Sequence, residues 1–113
     1  MEPGTWTLDS HYEFDLARFL ESLPPTAHAL TSLALRDVLC VQGNELAGTK
    51  WVKALGAGLF EFRIRGKSTL VRIFFTFKAG RIVMLLGAYD KQRDPSAKRQ
   101  NREILIARAR MQD

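Results

Sequence analysis

The stretch GLFEFRIRGKSTLVRIFFTFKAGRIVMLLGAY, residues 58–89, decides the fold. Its first run, Phe60-Glu61-Phe62-Arg63-Ile64-Arg65, alternates apolar and charged side chains without a break, the period-two pattern of a strand with one covered face. Phe60, Phe62 and Ile64 are expected to face a core while Glu61, Arg63 and Arg65 share the other side. A one-residue slip would put three apolar side chains in water, so the register is strongly specified. Gly66-Lys67 and Lys78-Ala79-Gly80 read as hairpin turns bounding a second run, Leu70 to Phe77, whose single charge is Arg72. The third run, Arg81 to Tyr89, is nearly continuous in apolar character, as in a strand covered over most of its length. Such a sheet has a greasy back and a cationic front.

Upstream, Thr5-Trp6-Thr7-Leu8 is short and alternating and reads as an edge strand. Asp9 or Ser10 offers an N-cap for a helix from His11, with Tyr12, Phe14, Leu16, Phe19 and Leu20 at roughly helical spacing, stopped by Leu23-Pro24-Pro25. A second helix is predicted over Thr26 to Gln42, ending at Gly43 as its C′ residue. Together these form an amino-terminal helical hairpin that can cover the greasy face. Trp51 to Leu55 leads into the Gly56-Ala57-Gly58 turn, and after Tyr89 the polar connector Asp90-Lys91-Gln92-Arg93 precedes a last helix, about Pro95 to Met111, with Asp94 as N-cap and Pro95 at its first position. The fold expected is α+β: a helical hairpin on a small twisted antiparallel sheet, followed by a carboxy-terminal helix.

With 113 residues, 46% hydrophobic and 26% charged, the chain suits one globular domain spanning residues 1–113. No apolar run approaches the roughly 20 residues that span a bilayer, which argues against a membrane partner. Met1-Glu2-Pro3-Gly4 lacks the basic start and apolar centre of an export signal, pointing to the cytoplasm. The one cysteine, Cys40, excludes an internal disulfide and a multi-cysteine zinc site, and reads as a helix packing residue. Net charge is +5, but residues 1–49 hold two Lys/Arg against seven Asp/Glu, whereas residues 50–113 hold fifteen against five. A basic half of this density is the electrostatic footprint of a polyanion-binding surface, with nucleic acid the leading partner.

The catalytic inventory is narrow. His11 and His28 have no metal-ligand spacing, no serine has a His/Asp arrangement, and Gly56-Ala57-Gly58 lacks the lysine spacing of a phosphate-binding loop. Neither a metal nor a cofactor is called for. What remains is Arg, Lys, Tyr and Glu61, a set suited to charge stabilisation at a phosphodiester.

Four segments, Phe19-Leu20-Glu21-Ser22-Leu23-Pro24-Pro25, Val52 through Arg65, Val71-Arg72-Ile73-Phe74-Phe75 and Gly87-Ala88-Tyr89-Asp90-Lys91, resemble the RelE/HigB-like toxins of bacterial toxin-antitoxin systems in order and spacing, over about residues 12 to 112. The central pattern is K-x-L-x-x-G-L-x-E-x-R-I. The resemblance implies a metal-independent endoribonuclease that cuts messenger RNA, commonly on the ribosome, and a cognate antitoxin, expected to be a helix-turn-helix protein encoded nearby. It carries family positions onto Arg63, Arg65, Arg72, Tyr89 and Lys91 as catalytic candidates. Lys53, Lys78, Arg93, Lys98 and Arg99 are candidate RNA contacts. In the implied reaction the RNA 2′-OH attacks its own 3′-phosphate, the arginines neutralise the developing charge, Tyr89 stacks on a base or closes the core, and Lys91 assists the leaving oxygen. Glu61 is either a weak base or an ion-pair partner of Arg63 or Arg72. Many relatives carry two lysines or a histidine after the last strand; here Asp90 precedes Lys91, which leaves the general acid open. A gyrase-inhibiting or purely nucleic-acid-binding toxin on the same fold is the competing reading.

Overall fold

A computed structural model describes residues 5–113. Met1 to Gly4, where the sequence was read for an export signal, lie outside the described residues. The elements run β1 (Thr7–Ser10), α1 (Leu16–Ser22), α2 (Pro25–Ala34), a π turn (Leu35–Leu39), α3 (Cys40–Gln42), a 3-10 turn (Gly43–Leu46), β2 (Val52–Gly56), β3 (Leu59–Gly66), β4 (Thr69–Lys78), β5 (Ile82–Asp90) and α4 (Ala97–Met111). The sheet order is β1-β5-β4-β3-β2, with β2 to β5 antiparallel and β1 parallel to β5.

This overturns the expected architecture of an amino-terminal helical hairpin on an antiparallel sheet. The described chain enters as a strand, the sheet is mixed and five-stranded, the helical stretch lies between β1 and β2, and the strands lie between the helices. The physical reason is connectivity. β1 and β5 are separated in the chain by the helical stretch and the three strands β2, β3 and β4, so no tight turn forces them antiparallel and they can pair parallel, as two strands of one hairpin cannot. Asp9 and Ser10, expected to cap the first helix, belong to β1, and the cap is Asp15, whose carboxylate accepts the Arg18 N–H at 3.0 Å. The second helix covers its expected length but widens through a π turn that keeps Leu35 and Leu39 buried. In α4 the cap is Ser96 and not Asp94, because Ser96 Oγ accepts the Arg99 N–H while Asp94 accepts from Ser96.

Two cores follow from this layering. The larger lies between the sheet and α1–α3, built on Phe62, Ile64, Val71, Ile73, Phe75, Val83 and Leu85. The smaller lies beneath α4 on the opposite face, where Leu59, Phe74, Leu86 and Tyr89 meet Ala107. The cationic front is therefore half roofed. Two arginines of α4 fasten the roof: Arg108 donates to the Leu55 and Gly56 carbonyls at 2.6 and 3.2 Å, and Arg110 donates to the Leu86 carbonyl at 2.8 Å.

A bulge in β5 makes the second core possible. Phe74 pairs with Gly87 but Phe75 with Leu85, leaving Leu86 unopposed. One extra residue reverses the facing of everything after it. Val83 and Leu85 point to the larger core, whereas Tyr89, of the same parity, points to the smaller one. Without the bulge Tyr89 and Lys91 would turn away from Arg72.

Candidate functional site

At the end of the sheet that α4 leaves open, three strands set Arg63, Arg72 and Tyr89 abreast as register partners on β3, β4 and β5. Glu61 stands one pleat further along β3, opposite Phe74. Its carboxylate Oε1 lies 3.5 Å from Arg63 Nε and 3.8 Å from Arg72 Nε. Glu61 is 1% exposed and Arg72 2%. Neither is fully satisfied: Glu61 Oε2, Arg63 Nε, and Arg72 Nε and Nη1 are buried without a hydrogen-bond partner. Both ion-pair roles left open for Glu61 are thus realised, and the cluster holds more donor capacity than it uses.

Electrostatics follow from that crowding. Burial lowers the pKa of the Arg72 guanidinium, opposed chiefly by Glu61. An arginine nevertheless stays charged. Lys91, half-buried beyond Tyr89, donates to Gln100 Oε1 at 2.8 Å. Desolvation, then the Arg72 charge, with Arg63 and Arg65 behind them, holds its ammonium below the ordinary lysine value, against a counter-pull from Glu61. Burial first, then Glu61, raises the Tyr89 phenol, which keeps it neutral.

Tyr89 itself is 1% exposed. Its ring stacks on Phe74 at 6.2 Å, Arg99 lies over it at 5.3 Å, and its hydroxyl donates to Gln100 at 3.2 Å. Of its two possible roles, closing a core is the one its surroundings serve. Arg63 is partly exposed, with 29% of its side chain in solvent, and Arg65 is fully on the surface.

The remaining basic candidates are scattered. Lys53 is exposed on β2, level with Glu61, and Arg93 and Lys98 are exposed around the start of α4. Arg99 is engaged by Glu103 at 2.8 Å and Asp94 at 3.7 Å. Lys78, six residues beyond Arg72, stands about 20 Å from it along β4. It lines a separate hollow with Ser10, His11 and Tyr12. There the fold does bring His11 near two carboxylates, Glu13 and Asp113. Both ring nitrogens are occupied, however: Nδ1 accepts the Glu13 N–H at 3.1 Å and Nε2 meets Asp113 at 2.5 Å. Cys40 is half-buried with its thiol pKa raised by desolvation, an inert setting.

Sequence reasoning missed Gln100, which bridges Tyr89 and Lys91, and the pair Lys50-Trp51, which edges a hollow of about 270 Å³ with Arg63 and Arg65. A tryptophan between two lysines, just ahead of β2, was a usable signal for the second. Nothing local marked Gln100.

Fold and site define a small domain with its sheet between two helical layers and a cationic cleft centred on a buried carboxylate. Residues 18–112 match the family described as Phage derived protein Gp49-like (DUF891), and the chain belongs to that family. The family is toxin-like and related to the RelE/HigB toxin-antitoxin group. Comparison with curated proteins and with solved structures gave no match. Among the described residues no helix is long and apolar enough to cross a membrane.

Proposed function

We propose that this protein is the toxin of a toxin-antitoxin pair and acts as an endoribonuclease on messenger RNA, with the ribosome as its setting. The observation that carries the reading is the buried Glu61–Arg72 pair with Arg63 against it, on the strand face that also carries Arg65, close enough to Lys91 for these charges to lower its pKa. Arg63 and Arg65 hold the scissile phosphate and neutralise charge growing on its equatorial oxygens. The RNA 2′-OH attacks its 3′-phosphorus, its proton passing to solvent, while the bond to the 5′-oxygen breaks and Lys91 protonates that oxygen. The product is a 2′,3′-cyclic phosphate. No step requires a metal. Arg72 and Tyr89, enclosed as they are, serve as positioning residues: Arg72 anchors Glu61 and supports the lowered Lys91 pKa, and Tyr89 seats α4. A separate antitoxin neutralises the protein by covering the cleft.

Controlled expression of wild type and Arg65→Ala in bacteria, with RNA 5′ ends mapped, tests this reading. Arg65 is exposed, so its loss leaves folding intact; cleavage is expected to fall about tenfold or more, less than for an enclosed donor because water screens it. Growth arrest with intact messages and damaged DNA would overturn the reading in favour of gyrase inhibition.

The acid role of Lys91 has its own signature. A general acid must carry its proton, so the rate is present below its pKa and lost as pH rises through it. Because that pKa lies below the ordinary 10.5, the alkaline limb of the pH–rate profile is expected below that value, and Lys91→Arg moves it out of range. An unchanged limb in Lys91→Arg removes Lys91 from the mechanism.

A further inference from the structure

The hollow beside the cleft is built unlike the rest of the basic surface. Its walls are Lys50, Trp51, Arg63 and Arg65, and at about 270 Å³ it is nearer the size of one nucleotide than of a protein-docking groove. Trp51 is half-buried, and its indole stacks on the fully buried Phe62 at 5.7 Å and 25°. Backing by a core residue holds the indole in place, so little rotamer entropy is lost when a planar group settles against it. The Trp51 carbonyl also accepts the Arg63 N–H at 2.7 Å, tying the ring to the strand that carries both arginines. A rigid aromatic with three cations around it offers a π-face and phosphate counter-charges at once, the two features that single-stranded nucleic acid presents. An acidic peptide would use the cations and leave the indole without a purpose.

We propose that this hollow is a nucleotide subsite: an unpaired base of the RNA stacks on Trp51, and the phosphate joined to it reaches Arg63 and Arg65. The inference rests on the endoribonuclease reading and deepens it, because those two arginines are shared with the cleft and place the stacked nucleotide next to the scissile linkage. Stacking on Trp51 then sets where along the strand the cut falls. Base identity enters only through stacking strength, so the subsite favours purines over pyrimidines without reading their edges.

The test uses the full chain and a short single-stranded oligoribonucleotide with 2′-O-methyl groups, which binds and cannot be cut, at fixed salt because phosphate contacts respond to it. Binding is expected to quench tryptophan fluorescence in wild type. Trp6, 8% exposed beneath Arg81, serves as the silent internal reference in Trp51→Phe, where the quench disappears while affinity stays within about threefold. Trp51→Ala is expected to weaken binding by roughly 5- to 150-fold, the range for losing one stacked base. Circular dichroism melts of each variant separate lost binding from lost folding. Equal affinity of wild type and a folded Trp51→Ala overturns the subsite, as does absence of oligonucleotide binding, or quenching by an acidic peptide where the oligonucleotide gives none. Binding through Trp51 by a protein that cleaves no message, free or ribosome-bound, leaves the subsite standing and removes the nuclease.

Discussion

Arg72→Ala is expected to lower stability by about 3–5 kcal/mol and, where the variant still folds, to shift the alkaline limb of RNA cleavage upward. The stability loss follows from burial. Removing Arg72 leaves the Glu61 carboxylate, 1% exposed, with the Arg63 contact at 3.5 Å as its one remaining ion pair among the described residues to offset its lost hydration. Uncompensated buried charge is among the costliest single changes a small domain can suffer. The pH effect follows from charge: after desolvation, Arg72 is the strongest influence holding the Lys91 pKa down, so its removal lets that pKa rise. The two effects are separable. Replacing both partners, Glu61→Leu with Arg72→Met, removes the charges together and is expected to recover most of the lost stability, because a buried pair exchanged for apolar groups of similar size is often neutral. Chemical denaturation of the single and double variants, with pH–rate profiles, checks both. A double variant no more stable than Arg72→Ala would mean that the pair does not couple.

Gly43→Ala is the other large effect, expected at about 3–5 kcal/mol. Gly43 follows α3 with φ +49° and ψ −121°, a conformation that L side chains rarely adopt. A Cβ there would stand 2.1 Å from Trp6 Nε1 and 2.2 Å from Cε2. The indole cannot retreat easily: its backbone N–H donates to the Cys40 carbonyl at 2.7 Å, Phe77 packs at 5.2 Å, and Arg81 lies over it at 4.7 Å. Backbone strain and overpacking therefore add. Against a total of roughly 5–15 kcal/mol for a domain, the variant should be partly unfolded at 37 °C. Gly48→Ala is the control, since Gly48 also has positive φ, at +85°, but open space around it; only strain of about 1 kcal/mol is expected. Comparable losses in the two variants would show that the Trp6 contact contributes nothing.

These cases show where local reading succeeds. The C′ role of Gly43 was legible because helix ends carry a chain-local signal, but the indole that makes it indispensable arrives from β1. The alternation in β3 and the turns around β4 placed three strands within a residue or two of their bounds. It also put Glu61, Arg63 and Arg65 on one face. The same pattern hid the roof over that face. The basic half of the chain read as a polyanion-binding surface, yet two of its arginines, Arg108 and Arg110 in α4, bind sheet carbonyls. Charge alone does not reveal whether a guanidinium meets a phosphate or a backbone oxygen, since both are acceptors.

By itself the sequence determined the strands β3 to β5, the face that carries the arginines, the helical stretch with its Pro-Pro corner, and the segregation of charge. All of these rest on periodicity and breakers acting over a few residues. The tertiary structure alone decided that β1 enters parallel beside β5, that one unopposed residue, Leu86, turns Tyr89 and Lys91 toward Arg72, and that α4 encloses Arg72 and Tyr89 while leaving Arg63, Arg65 and Trp51 at the mouth. Those outcomes depend on which surfaces meet across the fold, and packing between distant segments leaves no mark in the spacing of neighbouring residues.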